Sequence, residues 1–451
     1  MDQYTPFSSR ASMAALSVRF RDMWAEVEKR VHIRQKTISY DPIDKLLLAT
    51  LNILAGGQGI VEINTRLRCD AVFLKAFGCD KCADQSVVSE TLNACDAENV
   101  AELRGSLRAL LIKHGQCTQH HEQIRTPLLL DIDLTGLLAG RQGEGVTKGY
   151  FSDHKGARGR QLARVLATDY DEIVCERLYA GNRQLKHVLD DVLDELEQVL
   201  QLTPEGRART ILRVDAGAGS DADIDKQLTR GYLLLTKVTS SSRSRKLAES
   251  VTSWHQDPKE PGREWGWPEA PHEYVRETRQ VVVRKKHDGK WRYRALVSNL
   301  DDETLCRLAR QPVRRQVTDI ERLFLIAHAY DLRSGGVETS NRGSKSGLGI
   351  MKRNKKRFSA QEMLVLLAEL VYNFLTWTRN LLAQTDERWA RYGPLRMVRD
   401  VGQIAGVIYL PQHRGQRLQI ILNGKHPLAS RFVSALSIAL TRDLLLILGK
   451  T

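Results

Sequence analysis

Apolar runs that end in carboxylates punctuate this chain. Residues 127–132 read Pro-Leu-Leu-Leu-Asp-Ile before Asp133, and residues 210–214 read Thr-Ile-Leu-Arg-Val before Asp215. Such short runs between turn residues predict buried strands. Each is expected to deliver its Asp at the C-terminal edge. Residues 163–167 and 172–179 also read as strands, and 184–200 sets Leu and Val at helical spacing. A short helix over 222–229 and a strand over 232–238 follow Asp215. Strands, a helix and then strand–helix–strand predict a mixed α/β core.

The flanks have other textures. Residues 1–122 read as helical. Asp41, Pro42 and Asp44 mark a helix start, 46–55 fills the helix, and Gly56-Gly57 stops it. Shorter helices are predicted over 60–68, 71–77 and 86–95, split by Gly78 and Asp84, with Val88, Leu92 and Cys95 on one face. A helix-turn-helix DNA reader and a plain helical bundle both fit this pattern. Residues 240–246 read as a polar, basic linker, and Pro258, Pro261 and Pro268 mark loops. Runs 280–285 and 291–297 flank His287-Asp288-Gly289-Lys290, a hairpin signal, so 240–317 reads as a β-rich insertion. Helical texture returns at 320–330 and 361–382, and the apolar stretch 363–377 is too short for the roughly 20 residues of a membrane span. The tail offers strand-like runs at 403–410 and 417–422 and a helix after Pro427. The predicted divisions are 1–122, 123–239, 240–317, 318–385 and 386–451.

Charge adds a partner. A net charge of +14 and a pI near 9.5 point to a polyanion, nucleic acid first. The start, Met1-Asp2-Gln3-Tyr4-Thr5-Pro6, has no secretion pattern, and seven scattered cysteines suit a reducing cytoplasm. Cys79 and Cys82, near Cys69, Cys95, Cys117, His120 and His121, are either buried thiols or a structural zinc site. In a strand, Asp131 and Asp133 share a face. They require cations, a wet cleft or salt bridges with arginine. Glu338 and Lys345 are 345 − 338 = 7 residues apart, two helical turns, with Arg342 between them. Alone, that is a surface ion-pair pattern. Three carboxylates converging on one point would instead describe a divalent-metal site for phosphoryl transfer.

The stretch Tyr330-Asp331-Leu332-Arg333 followed by Glu338 and Lys345 resembles the Y–R–E–K signature of DDE transposases of bacterial insertion sequences. Asp131-Ile132-Asp133-Leu134-Thr135-Gly136 resembles their first Asp strand, and Arg213-Val214-Asp215-Ala216-Gly217 their second. Lys148-Gly149-Tyr150-Phe151 and Gly159-Arg160-Gln161-Leu162 look like the region between. Four residues separate Arg333 from Glu338 where the usual pattern has three. The resemblance implies a ribonuclease-H-like core with two Mg²⁺ ions, Mn²⁺ substituting, held by Asp133, Asp215 and Glu338, with Asp133 bridging. It selects Asp133, followed by x-Thr, over Asp131. It also implies DNA contacts from Tyr330, Arg333, Arg342, Lys345, Lys148 and Arg160, and Trp291 stacked on a flipped base or packed in a core. The basic residues around the site, Lys155, Arg158 and the run 352–357 among them, would line a groove for double-stranded DNA. Joining two element ends implies a homodimer on DNA in the bacterial cytoplasm, associated with the nucleoid. A ribonuclease-H-like nuclease or resolvase, and a catalytically dead repressor, are the competing readings.

Overall fold

The computed structural model describes residues 5–36, 39–151, 154, 156–413, 416–439 and 444–449. Lys155 and the residues Met1 to Tyr4 lie outside the described residues. The first third is helical, with α1 (Ser17–Arg30), α2 (Pro42–Leu54), α3 (Gln85–Ala94) and α4 (Ala97–His114). Asp84 caps α3 by accepting from the Ser86 amide, which explains why that residue interrupts the pattern. Asp41 precedes Pro42 at the start of α2 but makes no side-chain cap bond. The piece expected at 60–68 is one π-helical turn, Ile63–Leu67.

A central sheet follows. Its strands are β1 (Leu128–Leu138), β2 (Arg158–Ala167), β3 (Glu172–Ala180), β4 (Thr210–Val214) and β5 (Leu233–Lys237), with α5 (Leu185–Leu200) and α6 (Asp221–Thr229) in the connections. The spatial order is β3-β2-β1-β4-β5. The first three are antiparallel, and β1, β4 and β5 are parallel. This is the ribonuclease-H-like mixed sheet expected. One detail differs: Asp133 lies in the middle of β1, not at its end. The antiparallel ladder with β2 continues to Leu138, whereas the parallel ladder with β4 stops at Ile132–Val214.

The segment 240–246 is not a linker. It forms most of α7 (Ser241–Glu249), with Ser240 accepting from the Arg243 amide and Ser244 and Leu247 buried. Serine-rich composition hid a helix whose start is capped by one of those serines. Strands β6 (Arg263–Gly266), β7 (Arg279–His287) and β8 (Lys290–Ser298) build the insertion. Asp288 and Gly289 both have positive φ, 50° and 74°, which matches the Asp-Gly hairpin signal. β8 pairs antiparallel with β5, Leu296 opposite Lys237, so the insertion extends the core sheet itself.

Helices α8 (Asp302–Leu308), α9 (Asp319–Asp331) and α10 (Val337–Arg342) cover one face. Leu129, Ile211, Leu235 and Leu296 pack there against Leu305, Leu323 and Ile326. On the other face Leu130, Ile132, Leu212, Val214 and Leu234 join α5 and α6 in a cluster that continues into the N-terminal helices. The long helix α11 (Phe358–Ala383) runs through that cluster. It is the one described helix long and apolar enough to span a bilayer, and 89% of its apolar window is buried within the fold. A second sheet holds β9 (Gly406–Tyr409), β10 (Leu418–Leu422) and, after α12 (Ala429–Ala439), β11 (Leu444–Leu448). Residues Phe7–Ser8 pair with β9, and β11 runs parallel to β10. β11 was not expected, because an apolar run directly after a helix carries no period of its own.

Arg164 of β2 locks α10 to the sheet. It is 1% exposed, its Nε lies 2.6 Å from Glu176, and it donates to the hydroxyls of Ser340 and Ser344 at 2.8 Å each. Removing one member of a buried pair strands the other charge. Arg164→Met should therefore destabilise the protein by about 3–5 kcal/mol in urea unfolding. A loss below about 1 kcal/mol would show that the pair does not anchor this helix.

Candidate active site

Strand register builds the site. Ile132 pairs with Val214, and Val214 with Thr236. One residue further, Asp133, Asp215 and Lys237 therefore stand level on three adjacent strands and on one face. Asp133 accepts from Arg333 Nη2 and from Asn341 Nδ2, each at 2.7 Å. Asp215 accepts from the Gly217 amide at 2.6 Å and so opens the turn that follows β4. Glu338, on the first turn of α10, lies 3.3 Å from Arg333 Nη1 and is half-exposed. One guanidinium thus bridges Asp133 and Glu338.

Asp131 is a different kind of carboxylate. It is fully buried, accepts from Arg213 Nε and Nη2 at 2.6 and 2.8 Å, and accepts from Thr168 Oγ1 at 2.7 Å. Its oxygens are spent on structure one pleat below Asp133. The extra residue before Glu338 is absorbed by the 3₁₀ turn Leu332–Gly335 and by Gly336. A Cβ on Gly336 would collide with the Asp131 carboxylate and stand 3.0 Å from Thr168 Cγ2, so only glycine lets α10 approach this close.

The signature residues surround this cluster. Arg333 is buried; burial alone would lower its pKa, but Asp133 and its neighbours outweigh that and raise it. Burial pushes the Tyr330 phenol up, although Arg333 favours its ionised form. Lys345 donates to Thr135 Oγ1 at 2.6 Å; burial lowers its pKa and Asp133 opposes this. Lys237 is half-buried, its pKa lowered by burial and by Arg294 and supported by Asp215. Sequence reading missed Lys237 and Asn341. A charged residue ending the apolar run at 232–238, and an Asn three past Glu338 on the same helical face, were the available signals.

Among the described residues no group of three or more His, Cys, Asp or Glu is placed to hold a metal ion. The expected metal cluster is therefore not assembled here. The donor chemistry of Asp133, Asp215 and Glu338, hard oxygens on one side of the sheet, does suit a divalent cation. In this arrangement the Arg333 guanidinium supplies the positive charge between two of them. The Cys79–Cys82 pair forms no such group either, and burial pushes the Cys79 thiol up to about 12.

Several expected DNA contacts are placed elsewhere. Arg160 is 1% exposed and gives its donors to the carbonyls of Glu144, Lys355 and Lys356. It is a strut, not a groove residue. The run 352–357 is divided: Arg353 and Lys355 are buried and donate to Gly57 and Ser89, and Arg357 donates to the Asn93 carbonyl. The run straps the loop before α11 to the N-terminal helices, so its charge is only partly available. Lys352, Lys356, Lys148 and Arg342 are exposed, and Arg158 is half-exposed. Trp291 is half-buried on the hairpin, its ring 4.5 Å from the Arg284 guanidinium, which also lies 4.2 Å from Trp254.

Burial lowers the Lys355 ammonium to about 8. The unfolded chain then holds a proton that the folded chain releases, so the burial penalty is present below pH 8 and disappears as pH rises toward the ordinary lysine value. Between pH 8 and 10 the melting temperature of the native protein should rise relative to that of Lys355→Met. Parallel curves over that range would show that Lys355 titrates normally.

The sequence profile of a family described as "Transposase DDE domain" matches residues 124–374, more than half the chain. No curated protein sequence matches it. Among solved structures, similarity is found to the piggyBac transposase synaptic complex with hairpin DNA determined by cryo-EM. It has 13% identity, covers 89% of this chain and 80% of that one, and gives a TM-score of 0.45. No residue role is carried over from it.

Proposed function

From a chain that belongs to the transposase DDE-domain family, enzymes that cleave DNA and transfer the cut strand, we propose an insertion-sequence transposase with Asp133, Asp215 and Glu338 as its essential carboxylates. The observation that carries this reading is their placement: Asp133 and Asp215 level on adjacent parallel strands, and Glu338 tied to Asp133 through Arg333. Divalent metal is the family's means, and Mg²⁺, with Mn²⁺ as substitute, is the proposed ion. Two such ions would stabilise the attacking and leaving oxygens of an in-line displacement.

The chain's own groups do the rest. Arg333 holds Asp133 and Glu338 in fixed relation until DNA enters. Tyr330, Arg333 and Lys345 face phosphates at the cut, and Arg342 and Lys148 extend the basic surface. Asn341 orients Asp133. Trp291, whose ring lies against Arg284 and Lys286, is the proposed stacking partner of an unpaired base, which would take the place of one of those cations. The partner is double-stranded DNA at element ends and target. Two ends require a two-fold dimer on DNA, working in the cytoplasm against the nucleoid. The N-terminal helices are proposed to read the ends.

Asp215→Asn keeps size and removes charge. DNA binding should persist while cleavage and strand transfer in Mg²⁺ fall by several orders of magnitude. Wild-type cleavage by this variant would remove Asp215 from the reaction. Cutting without joining by the native protein would identify a nuclease instead, and binding alone a repressor.

Phosphate contacts make affinity fall with salt by a slope of about 0.9 each on duplex DNA. Replacing the exposed Lys352 and Lys356 by Ala should flatten the slope of log K against log salt by roughly two and leave end preference unchanged. An unchanged slope with lost end recognition would show that these lysines read bases or a protein.

A further inference from the structure

The row of charges across β1, β4 and β5 has a basic end that the family signature does not use. Lys237 closes β5 beside Asp215, and adjacent strands lie about 4.8 Å apart. Its side chain lines a cavity of about 340 Å³ together with Arg292, Arg294 and Tyr330. The acids of that cavity are already occupied: Glu260 is held by Lys285 and Arg263, and Asp331 by Arg263. Lys237, Arg292 and Arg294 make no side-chain hydrogen bond or close ion pair among the described residues. Burial and Arg294 oppose the ammonium of Lys237, and Asp215 is the carboxylate that favours it. A half-buried cation beside another cation, with the acids lining the cavity already paired, is a site organised for an anion from outside.

Resting on the transposase reading above, we propose that Lys237 and Arg294 form a second phosphate-binding site on the Asp215 side of the carboxylates. It takes a backbone phosphate of the strand being cut, next to the scissile one. Lys345, anchored on Thr135 beyond Asp133, serves the opposite side. The cut strand would then be gripped on both sides of the reacting phosphorus, which fixes the line of attack.

The test uses the full-length protein, Mg²⁺ and a duplex bearing the element end taken from DNA flanking the gene. Lys237→Met should leave the melting temperature nearly unchanged, because Lys237 has no side-chain hydrogen bond or close ion pair to lose among the described residues. It should slow single-turnover cleavage about a hundredfold, the scale of losing one preorganised donor. Lys237→Arg should recover most of the rate. Methylphosphonate substitution, which neutralises one phosphate at a time, should slow the native enzyme at one position beside the cut without slowing Lys237→Met further there. Cleavage by Lys237→Met at the native rate overturns the proposal, as do additive losses at every phosphate. A large fall in melting temperature with no rescue by arginine also overturns it. If Asp215→Asn cleaves normally as well, the transposase reading itself has failed. If Asp215→Asn is inactive and Lys237→Met is not, only the second phosphate site is wrong.

Discussion

The buried ion pair between Arg213 and Asp131 is the constraint on which the site rests. Both side chains are removed from water, and the carboxylate is fully satisfied by two guanidinium bonds and one hydroxyl. Desolvating two charges is expensive, so such a pair persists only where its geometry is good. Here the geometry is also a joint. Arg213 lies on β4, Asp131 on β1, and the third guanidinium nitrogen, Nη1, donates to the Ala329 carbonyl in α9 at 2.7 Å. One residue after Ala329 comes Tyr330, and three residues after that Arg333. The pair therefore sets the register of two strands and the height of the helix that brings Arg333 to Asp133.

This hierarchy explains what could be read from the chain. Asp133 and Asp215 follow apolar runs whose strand character needs no tertiary knowledge, and the level register of β1 and β4 makes them neighbours. Asp131 could not be separated from Asp133 by pattern alone, because both sit on the same face. What distinguishes them is a partner 82 residues away in sequence, Arg213. Arg160 and Lys355 failed for the mirror reason. Each looks like surface charge in a basic run, yet each finds backbone carbonyls in the interior, and carbonyl acceptors leave no trace in a sequence. The helix at Ser241–Glu249 was hidden because serine favours helix starts and loops alike.

The insertion illustrates a further limit of composition. Proline-rich loops and a hairpin marked a β-rich insertion, and the structure adds that β8 lies directly against β5. The hairpin that carries Trp291 and the strand that carries Lys237 are thereby one rigid surface. Backbone hydrogen bonds thus join the hairpin directly to the strand whose Lys237 stands beside Asp215.

The small second sheet ties distant parts of the chain together, with Phe7 opposite Val407, a separation of 407 − 7 = 400 residues. During synthesis at about 5–20 residues per second, the N-terminal strand has no partner for about 20 seconds or more. Closing so long a loop costs little more entropy than closing one half as long, about 0.6 kcal/mol. Timing, not energy, is therefore the distinctive feature. A polypeptide interrupted before β9 keeps β1, β4 and β5 yet leaves Phe7–Ser8 without their strand partner, so this sheet can form only after segments about 400 positions apart have both been made.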